Sequence, residues 1–444
     1  MRLNRFFILA FSLFYTPFLS AQQEQTLNFM TDTWQAHLTN PALLPSKKIA
    51  IALPSVYFSI NSPDMVLNDV VTTEGGIRKL DLTNLYAPNR PASTRINGHV
   101  QIQTLGIAFP INDRLSISAY QAAWANPSVS YRRDLIQLIF NGNSRFLGQS
   151  VSFGSSTQTD LRSEIGIGVV YRLPSLTLGG RVKILNGLAG VFTEGDKLDI
   201  RFNQTDYSLN FNTDFLVRYF AFDKIRNLQT IPDVINQGLF SRNRGMAFDV
   251  GGSFKLSKLQ INASVLDIGS TLNWKTDGKS YASKGIYDYK GRNINDLDQF
   301  FRLDSLTSNS LVDSLKKVIG LVESSDITYV QKLPMKIYLS GFYDLTNKIS
   351  LNALFYNESG GNQMSQTGFA IGASLKAVEN PILKLHLGLN YGMRSGKFTN
   401  LGAHASAKLF KMVQIFAVTD NLITVFNPWG STTANGRVGM GLIF

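Results

Sequence analysis

The chain contains no cysteine, so disulfides and thiolate metal sites are both excluded. Beyond residue 21 no uninterrupted apolar run approaches the ~20 residues that a membrane-spanning helix needs. The signatures of common catalytic sites are missing as well: there is no G-x-S-x-G, no H-E-x-x-H and no Walker loop. Histidine is scarce, at four residues in 444. These absences point away from an enzyme and imply no cofactor and no metal.

The amino terminus reads as a secretory signal. Arg2 and Arg5 precede the apolar stretch FFILAFSLFYTPFLS, which gives way at Ala21 to the polar QQEQ. Residues 1–21 are therefore set apart from a mature chain of 22–444, and the mature chain has no cysteine to carry a lipid anchor. The formal charge is +12. A basic balance of this size suits nucleic-acid binders. Here the cations are scattered at strand spacing along an exported chain, which suits a solvated interior or an anionic headgroup layer and argues against nucleic acid.

What the sequence does contain is alternation. In PILKLHLGLNY (381–391), Leu383, Leu385, Leu387, Leu389 and Tyr391 take one face of a strand, and Lys384, His386, Gly388 and Asn390 take the other. LTLGGRVKI (176–184) sets Leu176, Leu178, Val182 and Ile184 against Arg181 and Lys183. EIGIGVVYR, MAFDVGGSFKL, LQINASV and FAIGASLK repeat the pattern, with Val170 as an exception. Further runs lie near 49–60, 99–110, 114–124, 197–213, 335–343, 348–357, 398–409, 412–419 and 436–444.

The count is about 14 to 16 strands of ~10 residues, the length of a tilted bilayer crossing. Charge shares a face with Gly, Ser and Asn, and the bulky apolar residues share the other. A soluble sandwich would put its charge outside. The pattern therefore predicts an all-β fold: a transmembrane antiparallel β-barrel of about 14 strands in a bacterial outer membrane, closed because an open edge in lipid would leave backbone groups unpaired. Its first partner is outer-membrane lipid. The final run GRVGMGLIF ends on an aromatic residue, as the last strands of bacterial outer-membrane barrels do.

Between strands the insertions are uneven. The longest runs from about 275 to 332 and includes NSLVDSLKKVIGLV, which has a helical apolar stripe. Residues 134–146 predict a helix capped by Asp134, and 223–243 predict another helix-containing connection. Arg394-Ser395-Gly396 has the form of a hairpin loop, and centring it on Ser395 pairs Leu389 with Leu401 and opposes His386 to His404.

HLTNPALLPSKKIAIALP, with Asn40-Pro41-Ala42 before the first strand, resembles the entry segment of the FadL-like and PorV-like outer-membrane barrels of 14 strands. GGRVKILNGLAG, SVLDIGS and VTDNLITVFNP resemble a Bacteroidota-specific family of unknown function within that group. The resemblance implies two functions from different classes. One is a carrier of hydrophobic or lipid-like solutes, which enter from the loop side and leave through a gap in the wall. The other is a barrel associated with type IX secretion, which binds a secretion-system protein without transport of its own. A continuous apolar pocket under the loops would mark the first, and a plugged lumen with an apolar patch on the loops the second.

Candidate ligand-binding residues are the lumenal Arg181, Lys183, Lys384, His386, His404 and Arg437, able to meet the anionic end of a solute. The competing reading is that such cations pair with lumenal Glu164, Asp249 and Asp267. Two facing histidines could hold a metal or shuttle protons, against the plainer reading of solvated wall residues. The resemblance implies that Asn40, Pro41 and Ala42 seat the amino-terminal segment in the barrel mouth; the plainer reading is an ordinary turn before a strand. Tyr287, Tyr289, Phe300, Phe301, Phe426 and Trp429 are candidates for an apolar mouth, or for an interfacial girdle.

Overall fold

The computed structural model describes residues 24–45, 49–222, 238–290, 318–361, 365–394 and 397–444. The fold is a closed antiparallel barrel of 14 strands. Its wall begins with β1 (Ala50–Asn61), β2 (Ser93–Pro110), β3 (Leu115–Asn126), β4 (Ser156–Arg172) and β5 (Leu176–Phe202). It continues with β6 (Asn243–Leu256), β7 (Leu259–Trp274), β8 (Met335–Asp344), β9 (Ile349–Ser359) and β10 (Gln366–Glu379). β11 (Leu383–Arg394), β12 (Lys397–Leu409), β13 (Val413–Thr419) and β14 (Thr433–Ile443) complete it. The cylinder closes where β14 pairs with β1, from Ala50 opposite Ile443 to Asn61 opposite Thr433.

Each strand faces the way its alternation dictates. Leu389 is 55% exposed on the outside, whereas its neighbour Asn390 is 5% exposed within. The outer surface is a band of Val56, Phe58, Ile107, Ile167, Val182, Phe248, Ile261, Leu339, Ile371 and Val438, all exposed. In water such a band would be an aggregation surface; against hydrocarbon it is the expected coat. Val170, the exception in its run, points inward and is buried against Trp34 and Tyr120. Pro54 lies in β1 where the register shifts between Ala52 and Ser55. Proline has no N–H for the ladder, and a bulge is how a strand accommodates that loss.

One end of the cylinder has short turns, at 111–114, 173–175, 257–258, 345–348, 380–382 and 410–412. The other end carries the long connections. This asymmetry is that of outer-membrane barrels, with short turns periplasmic and long loops extracellular. β5 runs for 27 residues and changes partners on the way. Its lower part pairs with β6, and its upper part pairs with a strand at Leu209–Phe220, which pairs in turn with Gly278–Tyr289. The wall thus continues into an extracellular canopy, whose core includes Phe146, Phe153, Phe202, Phe211 and Ile319.

Three expectations need correction. The run 197–213 is not one strand: a turn at 203–208, with Tyr207 in the left-handed region, divides it. The helix after β3 is Arg133–Asn141, with Arg132 in the capping position and Asp134 in the first turn, so Asp134 is not the cap. In the β11–β12 hairpin Leu389 pairs with Ala403 and Asn390 with Gly402, because the register shifts between Gly392 and Arg394. The slip is two residues, which leaves every side chain on its face and so is invisible to the alternation. The expected helices in 223–243 and 309–322 fall mainly on residues outside those described, as do Phe300 and Phe301.

Candidate functional site: a plugged and charged lumen

The segment before β1 fills the lower lumen. Two short 3-10 turns, Thr26–Phe29 and Trp34–Leu38, are buried almost throughout; Trp34 and Ala36 are 0% exposed. The segment is apolar where it meets small wall residues. Trp34 packs with Ala50, Ala52, Ala108 and Ala122, and a Cβ on Gly106 would overlap its ring. Here the wall uses small residues to make room for a bulky plug.

Backbone–backbone hydrogen bonds of residues 25–43 run within the segment, such as Met30 N–H to Leu27 and Asn40 N–H to Ala36. Side chains make the contacts to the wall. Asp420 accepts from the N–H groups of Gln25 and Thr26 at 3.1 and 2.8 Å. Asn390 donates to the Thr26 hydroxyl at 3.1 Å, and Ser264 to the Thr39 carbonyl at 2.6 Å. Arg181 donates to the His37 carbonyl at 3.0 Å, and Gln35 to the Met440 carbonyl at 3.3 Å. Near the periplasmic end Asp32 pairs with His386 Nδ1 at 2.8 Å.

Asn40, Pro41 and Ala42 form the return of the plug toward β1. The Asn40 amide donates to the carbonyls of Gly252 and Ala263, and its oxygen accepts from Ala42 N–H. Pro41 and Ala42 lie against Gly179, where a Cβ would meet their backbone. Asn40 thereby ties the plug to the facing strands β6 and β7.

Above the plug is a network of buried charge. Arg181 Nε donates to Asp249 at 2.7 Å, and Lys183 lies 3.0 Å from Asp249 and 2.6 Å from Asp267. Lys336 reaches Asp267 at 3.1 Å, and Arg162 pairs with Asp160. Tyr120 donates to Glu164, and Arg437 Nε lies 2.7 and 2.8 Å from the two oxygens of Glu24 in the plug. Asp267 has φ 60° in a bulge that sets an extra residue opposite Asp249, and the Asp267 N–H donates to Asp249 at 2.8 Å. Such a bulge redirects a side chain, here into the lumen. Charges this deep persist only when paired.

The plug's own titratable groups respond to this environment. Burial pushes Glu24 up to about 7, against the pull of Arg437 and with the help of nearby Asp420. Burial, reinforced by Arg181, holds His37 neutral, well below the usual histidine range. Desolvation raises Asp32, whose side chain stays about half exposed, but the hydrogen bond and charge of His386 outweigh it and hold the carboxyl below its ordinary value.

The network surrounds a cavity of about 60 Å³, lined by Glu24, Tyr57, Arg162, Lys183, Lys336 and Arg437 among others. A cavity of ~60 Å³ holds a few waters and no hydrocarbon chain. Over it sits an aromatic cluster: Phe192 of the upper part of β5, Trp274 at the end of β7, Phe220 of the strand Leu209–Phe220 and Tyr329 of the strand Tyr329–Lys332. Trp274 Nε1 donates to Gln331, which donates to Asp160, joining the cap to the charges below.

Arg181, Lys183 and Arg437 are thus brought together around the cavity, each against a carboxylate. Lys384 and His386 lie instead at the periplasmic mouth, where Glu379 contacts them at 2.9 and 2.6 Å. His404 is buried opposite Gly388, with Ser374 at 3.5 Å, and His386 faces Ser406; the two histidines are not directly opposed. Among the described residues no group of three or more His, Asp or Glu is arranged to hold a metal. Tyr287 and Tyr289 pack onto the canopy core, whereas Phe426 is 81% exposed on a short helix at the extracellular rim. Sequence reasoning missed Glu24, Trp34 and Asp420. For Glu24 and Trp34 the only signal was a run of bulky and polar residues before the first strand, too irregular for strand or helix, and Asp420 carried none.

The closed antiparallel wall, the apolar exterior and the uneven loops are those of an outer-membrane β-barrel, and that is where the protein resides. Solved structures to which the chain is similar include a Pseudomonas aeruginosa FadL homologue, at 12% identity and TM-score 0.43, covering 92% of this chain and 93% of that one. The Ralstonia pickettii toluene transporter TbuX is 11% identical, with TM-score 0.40 and coverage of 93% and 92%. The Pseudomonas putida toluene transporter TodX is also 11% identical, with TM-score 0.41 and coverage of 92% of each chain. No curated protein matches the sequence. Residues 41–420 match one family over most of the barrel, and the chain belongs to it: DUF5723, a family of unknown function.

Proposed function

We propose that the protein is a gated outer-membrane barrel that binds and passes hydrophobic or lipid-like solutes, closed in this state by its amino-terminal plug. The observation that supports this is how the plug is held. Its main-chain bonds run within itself, and side-chain contacts tie it to the wall, so it can shift without breaking the barrel ladder. Withdrawal frees Arg437 from Glu24, Arg181 from the His37 carbonyl and His386 from Asp32. With Lys183, Lys384 and His404, these are the residues we assign to the anionic end of a solute. Asn40, Pro41 and Ala42 are the hinge side of the plug.

The absence of cysteine makes the test clean. Thr26→Cys with Asn390→Cys places thiols where the two side chains now lie 3.1 Å apart. Oxidation should abolish uptake of a fluorescent long-chain fatty acid into cells, and reductant should restore it. Uptake by the oxidised variant at the wild-type rate would overturn the gate.

A second reading, a protein-binding barrel of the secretion-associated kind, is favoured by the two features expected to mark it: a plugged lumen with only a small cavity, and Ile423, Val425 and Phe426, exposed at 49%, 64% and 81% on the extracellular rim. It predicts no uptake by any variant and a co-purifying protein that is lost with Phe426→Ser.

A further inference from the structure

Between plug and wall the closed lumen keeps its cavity of about 60 Å³. Five cations line it: Arg162, Arg181, Lys183, Lys336 and Arg437. Three carboxylates face them, from Glu24, Glu164 and Asp267. Asp160 and Asp249 pair with Arg162, Arg181 and Lys183 but do not line the space. Its inner surface is therefore positive. It is more so near neutrality, where burial lifts Glu24 to about 7 and part of that charge is lost.

The donors on one side of the cavity are not all used. Trp124 of β3 has Arg162 of β4 and Lys336 of β8 against its ring, the guanidinium carbon at 5.2 Å and the ammonium at 5.5 Å from the ring centre. Trp124 Nε1 and Arg162 Nε are buried, and among the described residues neither has a hydrogen-bond partner. The Arg162 side chain as a whole is almost enclosed, at 8% exposure. Lys336 gives one of its three N–H groups to Asp267 at 3.1 Å. The carboxylates of the lining are already engaged: Glu24 by Arg437, Glu164 by Tyr120, and Asp267 by Lys183 and Lys336.

We propose that this cavity is a binding site for one small monovalent anion of halide size, held in the closed barrel by Arg162, Lys336 and the Trp124 indole N–H. Arginine, lysine and tryptophan side chains are donors only, and a buried donor without an acceptor is destabilising. A water accepts from two of them and must then place two hydrogens of its own among carboxylates already engaged. An anion accepts from all three and places none. Its charge also offsets the cationic lining, in a lumen where low dielectric strengthens the attraction. A space for a few waters admits such an ion with a remaining water, and excludes a carboxylate that carries a hydrocarbon tail. The site belongs to the barrel with its plug seated, so it stands whether or not the barrel carries solutes.

The full-length barrel refolded in sodium chloride, sodium bromide or sodium gluconate, at one pH and ionic strength, tests this, because gluconate is too large to enter. As halide replaces gluconate, the temperature at which heat-shifted gel mobility is lost should rise with the logarithm of halide concentration, as for a ligand confined to the folded state. Bromide should also quench tryptophan emission with a saturable component that is absent in Trp124→Phe. That variant keeps a ring and removes the N–H, so it should need about tenfold more chloride for the same rise. In gluconate, with the site empty, it should be no less stable than wild type. Lys336→Gln should lose most of the halide dependence, and Lys258→Gln, in a periplasmic turn, should keep all of it. Equal temperatures in chloride and gluconate would overturn the site and leave the cavity to water. The same halide dependence in wild type and Trp124→Phe would overturn it in favour of a general salt effect.

Discussion

Trp34→Ala is the sharpest perturbation of the plug. The ring is fully buried, and Ala50, Ala52, Ala108 and Ala122 share its cluster with Tyr120 and Val170. Truncating a buried Trp costs ~3–5 kcal/mol, because the cavity left behind collapses only in part. The wall around it is a hydrogen-bonded ladder that the substitution leaves intact, so the cost falls on seating the plug and spares the barrel. In population terms the seated-to-displaced ratio drops roughly a hundredfold to a few thousandfold. Single-channel recording in planar bilayers reads that ratio as opening frequency. Gly106 provides the internal control. A Cβ there overlaps the ring, so Gly106→Ala should also raise opening, yet add nothing once Trp34 is gone. A Trp34→Ala barrel that keeps native gel mobility and opens no more often than wild type would refute the reasoning, as would strictly additive effects of the two changes.

The remaining predictions concern charge. Glu24 has its carboxyl lifted from 4.5 to about 7 in the seated plug, so the seated form binds more protons than the displaced form between those values. Seating is then strongest below pH 4.5 and weakens as pH rises toward 7, by about 3 kcal/mol over the window; Glu24→Gln should flatten the pH dependence of opening, and an unchanged slope in that variant would exclude Glu24 as its source. Asp249→Asn removes a charge shared by Arg181 and Lys183 and should cost ~3–5 kcal/mol, read as a lower temperature for the loss of heat-shifted mobility. His386→Ala removes the partner of Asp32 and should speed proteolysis of the plug from the periplasmic side, with Asp32→Asn producing the same effect and the double variant no more.

The wall was legible because hydrocarbon imposes a strict two-residue rhythm. From β11, with leucines out and Lys384, His386 and Asn390 in, the whole outer coat could be drawn. The pairing of Arg181 and Lys183 with Asp249 and Asp267 was readable as one of two alternatives, since inward cations and inward acids lay on neighbouring strands. The interior filling was not legible. Trp34, Glu24 and Asp420 each find partners nearly a full chain length away, in Ile443, Arg437 and Thr26, and no local period marks such contacts. Val170 was the one hint: an apolar residue on the polar face, placed there by a ring that arrives from outside the pattern. The hairpin register was lost for a different reason, because a slip of two conserves every facing and only the bulge beyond Gly392 decides it.

The pairing of the first strand with the last has a consequence for biogenesis. The ring of staves stays open until the final one is delivered, so the tube is sealed as its concluding act. The segment that stoppers it precedes every stave in the chain. It is enclosed at the moment of sealing or threaded in afterwards, and in either order a half-made protein presents an unguarded slot to the periplasm.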